Sequence, residues 1–364
     1  MAAGKTRIIA TIVGARPQFI KLAAVNHVLR QRSGMTEVVI HTGQHYDDPM
    51  SAAFFRELDL PEPAINLGVS GGGHGRMTGR MLEAIEAALV EIKPAGVLVY
   101  GDTNSTLAGA LAAAKLHLPV AHVEAGLRSF NKAMPEEINR RLADHCADLL
   151  FCPTRRAVDQ LRSEGVVKGV HFTGDVMYDL ARRFERPDPQ VLRRLDAPAG
   201  GALVTLHRQE NTDEPRRLAA LAEALVALSR ELPVFFPLHP RTRAALKRAG
   251  LFKALAAACR LAEPIGYIEL QSVLRASRLV LTDSGGLQKE AYFARVPCVT
   301  LRDETEWPET LEGGANRVAG ASPKRIRRAV KEALATRVRP KRRFGDGRAA
   351  ERIVAWLEKS WRTP

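Results

Sequence analysis

Four carboxylates stand just beyond apolar runs: Asp102 in GDTNST, Glu124 in HVEAG, and Glu136 and Glu137 in MPEEINR. Acids near strand ends are suited to proton transfer, because neighbouring acids and partial burial raise a carboxyl toward a useful acid–base range. A second group of residues suits an anion. In VGARPQFIK, Gly14 permits a tight turn, and Arg16 and Lys21 lie near a helix start whose backbone N–H groups can hold a phosphate. In LTDSGGLQKEA, Ser284, Gly285 and Gly286 open a helix after Asp283, and Glu290 is placed to accept hydrogen bonds from a ribose diol. His207 in TLHRQEN has Arg208 beside it, and His239 in PLHPRT has Arg241 nearby. Both histidines can act as acid, base or phosphate ligand. Two anion-friendly turns imply a diphosphate. Each residue also has a plainer reading: Asp102, Asp283 and Ser284 as helix caps, Glu136 or Glu137 as acids favoured in a first helical turn after Pro135, and the histidines as makers of local loop hydrogen bonds.

The elements that must position these groups alternate as strand and helix. Strands are expected at 7–13, 37–42, 96–100, 120–123 and 149–152, with helices at 19–30, 80–92, 105–115 and 136–147. A glycine-rich loop, GGGHG, falls within 68–79. Residues 181–201, with ERPDP and DAPAGG, include a connection. A second set follows: strands at 202–205, 233–237, 279–282 and 296–301, and helices at 216–230, 270–276, 286–294, 323–335 and 349–360. This rhythm predicts parallel sheets covered by helices on both faces. Two similar α/β domains are expected, with a ligand cleft between them.

A chain of 364 residues supports two domains, and 46% apolar residues support packed cores. No run reaches the ~20 apolar residues of a membrane span, so no membrane insertion is expected. The first apolar run reads as a strand, not as a secretory signal. The four cysteines, Cys146, Cys152, Cys259 and Cys298, form no CxxC pair and read as buried thiols of a cytoplasmic protein. The formal charge is +14, and residues 324–348 hold eleven Lys or Arg against two acids. With 5% aromatics and no recognition-helix or zinc-finger pattern, this reads as a solvated basic face or an attraction for an anionic ligand, with no nucleic-acid partner. No HExxH or comparable set marks a metal site, and His45 with Asp47 in TGQHYDD does not define one.

Taken together, GARPQFIK, TGQHYD, GDTNST, HVEAGLRS, MPEEINR, TGDVMYD, TLHRQEN, HPRT, LTDSGGLQKEA, RDETEWPET and FGDGRAAERI resemble the non-hydrolysing UDP-N-acetylglucosamine 2-epimerase family, in family order from residue 14 to 353. The resemblance implies a GT-B arrangement of two Rossmann-like domains with an interdomain active-site cleft. The domains would be 1–182 and 183–345, with a final helix at 346–364 returning to the first. It implies a cytoplasmic homodimer with no cofactor. The family reaction inverts C2 of a UDP-linked N-acetylhexosamine, with UDP leaving C1 as the C2 proton is removed and then adding back. By motif, Asp102, Glu124, Glu136 and His207 match the catalytic set, while Arg16, Lys21, Ser284 and Glu290 match nucleotide contacts. Gln44, Arg208, His239, Gly285 and Gly286 complete the expected substrate-binding residues.

Departures from a common branch are informative. GARPQ replaces GTRPE, Gln44-His45-Tyr46 replaces QHR, and Thr305-Glu306-Trp307-Pro308-Glu309 replaces TERPE, which removes a cation that Arg302 or Arg317 would have to supply. Tyr46 weighs against a second, activating sugar nucleotide. With HVEAGLRSFNKAMPEE, these variants resemble enzymes acting on UDP-2,3-diacetamido-2,3-dideoxyglucuronate. A hydrolysing 2-epimerase and a GT-B glycosyltransferase are the competing enzyme readings.

Overall fold

The structure, a computed structural model, describes residues 7–32, 34–44, 54–184 and 186–361. The chain forms two compact units, one from the residues up to Leu180 together with those from Arg342, the other from Ala181–Lys341.

Among the described residues, the first unit contains a seven-stranded sheet in the order β3-β2-β1-β4-β5-β6-β7. Its strands are β1 (Arg7–Val13), β2 (Met35–His41), β3 (Ile65–Asn66), β4 (Gly96–Tyr100), β5 (Val120–Val123), β6 (Leu149–Cys152) and β7 (Val170–Phe172). Every pairing is parallel. β4 reads GVLVY and is buried throughout, as a strand covered on both faces must be. Each of its Val and Leu side chains contributes about 1.5–3 kcal/mol by full burial. The helix Asn104–Lys115 is built of small residues because it lies hard against the sheet. A Cβ on Gly109 would come within 3.0 Å of Ile12 Cγ1 and 3.1 Å of Val99 Cγ1.

The second unit repeats the scheme in six strands among its described residues, in the order β10-β9-β8-β11-β12-β13 and again all parallel. They are β8 (Ala202–Thr205), β9 (Val234–Pro237), β10 (Arg260–Ala262), β11 (Leu279–Thr282), β12 (Cys298–Thr300) and β13 (Asn316–Val318). Both units are Rossmann-like, the pair of folds from which GT-B proteins are built.

Strand order reverses at β1/β4 in the first unit and at β8/β11 in the second. In open α/β sheets the crevice beyond the carboxyl ends of such strands binds ligands. The four strands at the reversals lead into Gly14, Gly101-Asp102, Leu206-His207 and Asp283-Ser284, so topology alone brings the chemistry-bearing motifs to these points.

Some expected boundaries shift. The first helix runs over Arg16–Leu29, not from residue 19, because Pro17 is tolerated in a first turn where its missing N–H costs nothing. The strand expected at 296–301 is shortened to β12. The last helix, Ala349–Ser360, packs on the helix Arg16–Leu29 within the first unit. Arg7 ties down its end by donating to the Trp361 carbonyl at 2.9 Å. Among the described residues, no helix is long and apolar enough to cross a membrane.

Candidate active site

In the first unit, Glu124 follows β5 directly in a left-handed conformation, φ +74°. That geometry costs a non-glycine residue about 1–3 kcal/mol and persists only where the surroundings enforce it. Its N–H donates to the Phe151 carbonyl at 3.1 Å. Its buried carboxylate is met by Lys21 Nζ at 2.5 Å, with the two side chains 8% and 6% exposed. Gly101, at φ +63°, makes room for this pair: a Cβ there would approach Lys21 Nζ to 2.9 Å. Lys21 therefore stands on the Glu124 carboxylate, where the sequence reading placed it among phosphate contacts.

Asp102 is gripped by Arg140, whose Nε and Nη2 both donate to Oδ2, at 3.0 and 2.7 Å. Arg140 Nη1 in turn donates to Glu137 Oε2 at 3.0 Å. Glu137 also accepts from the Ser129 N–H (2.8 Å), the Ser129 hydroxyl (3.0 Å) and the Phe130 N–H (3.2 Å). Glu137 is thus the acid that orders the loop and aims Arg140, consistent with a supporting part at the helix start. Asn139 Nδ2 donates to the Asp102 carbonyl at 3.0 Å and to Asn104 Oδ1 at 3.1 Å. Residues at i+3 and i+4 share a helical face with residue i. Glu136, half-buried in the first turn of Pro135–Cys146, therefore shares a face with the two residues that hold the Asp102 loop.

Beneath the acids lies a polar scaffold that sequence reasoning missed. His122, fully buried on β5, donates from Nε2 to the Gly101 carbonyl at 2.7 Å, and its Nδ1 is 2.8 Å from Asp144 Oδ1. Asp144 also accepts from Arg128 Nη1 at 2.6 Å and from the Gly126 N–H at 3.2 Å. The signal was present in the histidine of HVEAG and in Asp144 of the helix Pro135–Cys146, polar residues that are buried.

The turn after β1 differs from expectation. The Gly14 and Ala15 N–H groups donate to Gln18 Oε1 at 2.8 and 3.0 Å, so these donors serve the fold and not a phosphate. Gln18 Nε2 reaches the Tyr100 carbonyl at 2.9 Å, joining the ends of β1 and β4. Arg16 lies over the Phe54 ring, 5.3 Å from its centroid. Gln44 Oε1 accepts from the Ser105 N–H (3.1 Å) and hydroxyl (2.8 Å), which fixes it beside the GDTNST motif. His45, Tyr46 and Asp47 lie outside the described residues.

In the second unit, Ser284 caps the helix Gly285–Phe293 by accepting from the Leu287 N–H at 3.4 Å. Gly285 admits Trp307, whose Nε1 would be 3.3 Å from a Cβ at that position. Lys289 Nζ lies 3.9 Å from the Trp307 ring centroid, a cation–π contact on the same helix. Arg302 is engaged elsewhere, with Glu306 at 2.9 and 3.0 Å and Glu210 at 3.0 Å. Burial disfavours its charge, but these carboxylates outweigh that and raise its pKa. Arg317 is likewise taken up, by the Gly314 carbonyl, Thr336 and Glu332. Glu290, buried, accepts from Gln271 Nε2 at 2.9 Å.

Asp283, read from the sequence as a cap, is the fully buried hub of this unit. Its Oδ2 accepts from the His207 N–H (3.0 Å), the Arg208 N–H (2.9 Å) and Asn211 Nδ2 (3.1 Å). His207 Nδ1 lies 3.3 Å from Asp283 Oδ1. His239 does the local work of a cap, its Nδ1 accepting from the Arg241 N–H at 3.2 Å, with its ring 6.0 Å from that of His207. Among the described residues, no three His, Cys, Asp or Glu side chains are grouped to hold a metal ion.

Residues 27–358 match the family model described as UDP-N-acetylglucosamine 2-epimerase. The chain is 48% identical over 356 residues to the UDP-2,3-diacetamido-2,3-dideoxy-D-glucuronate 2-epimerase of Pseudomonas aeruginosa, covering 96% of this chain and 99% of that one. It is 42% identical to the UDP-N-acetylglucosamine 2-epimerase of Methanocaldococcus jannaschii, over 95% of this chain and 97% of that one. The crystal structure of the M. jannaschii UDP-GlcNAc 2-epimerase in complex with UDP-GlcNAc and UDP is similar to it with a TM-score of 0.89 at 40% identity, covering 97% and 99% of the two chains.

Proposed function

Since the chain belongs to the UDP-N-acetylglucosamine 2-epimerase family and is a nucleotide-sugar epimerase, we propose that it interconverts UDP-GlcNAc and UDP-ManNAc without hydrolysis, by eliminating and re-adding UDP. The observation that carries this reading is the set of acids at the ends of β4 and β5, each with its own partner: Glu124 on Lys21 and Asp102 on Arg140. Inverting a carbon that carries no adjacent carbonyl requires proton exchange on two faces of C2. Separately held carboxylates supply it, with Asp102 and Glu136 as the acid–base pair and Glu124 sharing that work or orienting the sugar. The diphosphate departs with help from His207 and from the helix start at Ser284, Gly285 and Gly286, where N–H groups and the helix dipole favour negative charge. Arg16 and Arg208 add positive charge, Glu290 takes the ribose, and Gln44 and His239 complete the substrate contacts.

A second substrate reading is favoured by the 48% identity to the P. aeruginosa enzyme and by the TEWPE variant: a UDP-linked 2,3-diacetamido uronate, whose carboxylate suits a basic chain. The reading extends to a cytoplasmic homodimer.

The test is NMR of each UDP-sugar incubated with the protein in deuterium oxide. A UDP-linked 2-epimer carrying deuterium at C2 is expected. Stoichiometric UDP and free sugar would refute the non-hydrolysing route, and absence of C2 deuterium during turnover would refute proton exchange. The uronate turning over at much higher kcat/KM than UDP-GlcNAc would decide for the second substrate.

A further inference from the structure

The buried Asp283 has no part in the proton chemistry described so far. A carboxylate brought to zero exposure needs donors, and this one has them: three N–H groups converge on Oδ2 from the turn after β8 and from Asn211. Two consequences follow. The turn carrying His207 is locked to the end of β11, where the Ser284 helix begins. The other oxygen, Oδ1, shares the His207 N–H at 3.1 Å and lies 3.3 Å from His207 Nδ1, the long contact usual for catalytic groups before a substrate closes on them. A carboxylate oxygen can only accept from an imidazole nitrogen, so the proton belongs on Nδ1. The proton exchanged in an acid–base step is then the one on Nε2, on a side chain that is 38% exposed.

We infer that Asp283 is a positioning residue that fixes His207 as the Nδ1–H tautomer and steadies its imidazolium, so that Nε2 serves the departing diphosphate. This rests on the epimerase reading above. In the step, a carboxylate of the first unit takes the C2 proton and the C2–H electron pair becomes the C1=C2 bond. The C1–O pair passes to the phosphate oxygen, and that oxygen takes the Nε2 proton of His207 in its imidazolium form, leaving the neutral Nδ1–H tautomer. Re-addition returns the proton to Nε2. Throughout, Nδ1–H stays with Asp283.

Asp283→Asn separates this role from a structural one. Its carbonyl oxygen can still accept the three N–H groups, but its Nδ2–H2 faces His207 Nδ1 and makes that nitrogen an acceptor, which drives the proton to Nε2. Long-range 1H–15N NMR of histidine-labelled protein, with His207 assigned from the signal lost in His207→Gln, is expected to show Nδ1–H in the wild type and Nε2–H in D283N. Turnover should fall by about 100-fold or more, within the range typical of general acid–base groups, while the Kd for UDP measured by calorimetry changes by no more than about twofold. In a His207→Ala background, D283N should add almost nothing, because it acts through the missing ring. A neutral wild-type His207 carrying its one proton on Nε2, an unchanged tautomer in D283N, unaltered turnover, or a full further loss in the H207A background would each overturn the assignment. Reading the wild-type tautomer needs neither turnover nor a change at Asp283. Failure of the epimerase reading would appear instead as no sugar nucleotide turned over by the wild type while the Nδ1–H signal is present.

Discussion

Replacing Lys21 by methionine distinguishes the position Lys21 takes in the structure from the one its motif implied. The ammonium and the Glu124 carboxylate lie 2.5 Å apart, with side chains 6% and 8% exposed. Methionine keeps most of the stem volume and removes the charge, leaving Glu124 buried without its counter-ion. Removing one partner of such a pair costs about 3–5 kcal/mol, mostly as the penalty on the charge left behind, whereas removing both is often near neutral. K21M is therefore expected to lose about 3 kcal/mol or more in urea denaturation at pH 7.5. K21M/E124Q should recover most of that loss. Deuterium incorporation at C2 should drop steeply in K21M, because Glu124 is no longer fixed beside Gly101, while UDP affinity by calorimetry should stay within a few-fold of wild type. The opposite pattern, UDP affinity lost with stability intact, would refute the ion-pair argument and return Lys21 to the phosphate.

Arg140→Met should leave UDP binding in place and lower turnover about 100-fold, because small displacements of a catalytic group are that costly; turnover near wild type would remove Asp102 from the reaction or Arg140 from its support. Asp179 is raised to about 6, chiefly by burial and in spite of its hydrogen bond from the Ala350 N–H at 2.7 Å. Its folded pKa lies above the unfolded value near 3.9, so the folded state binds the proton more tightly. The group therefore favours folding below about pH 4 and progressively withdraws that stability up to about pH 6, by at most about 3 kcal/mol. Asp179→Asn keeps an acceptor for Ala350 and should raise Tm at pH 8 but not at pH 4; equal Tm at pH 8 would refute this. Burial pushes the Cys152 and Cys298 thiols well up and Cys259 to about 11, so Ellman's reagent at pH 8 should leave all three unreacted until urea is added; rapid labelling of the native protein would refute their burial.

How much of this was legible beforehand follows from the kind of signal. Strand and helix alternation is periodic and local, so both parallel sheets could be read, and GVLVY at β4 announced a strand buried on two faces. The acids were legible because a charge after an apolar run has few structural explanations. Their partners were not. Lys21 and Glu124 are far apart in the chain, and only the strand order β1-β4-β5 brings the first helix over the turn that ends β5. Gln18 likewise looked like an ordinary helix residue, yet it takes the N–H groups that a phosphate was expected to use. Asp283 could be read only as a cap, since its partners lie on a different strand's turn and depend on β8 and β11 being neighbours.

The final helix has a consequence for the order in which the molecule is made. The second unit is one uninterrupted stretch, Ala181–Lys341, while the first is completed only by residues from Arg342 onward. Synthesis runs from the amino terminus, so the second unit's sheet can close while the sheet that leads into Asp102 and Glu124 still lacks its last cover. Until Trp361 emerges from the ribosome, Arg7 has no carbonyl there to hold, Asp179 has no Ala350 N–H to accept from, and the helix carrying Lys21 presents bare apolar surface. The segment that carries Asp102 and Glu124 is made early and finished last, so a nascent chain completes the turns at His207 and Ser284 before the unit that holds Glu124.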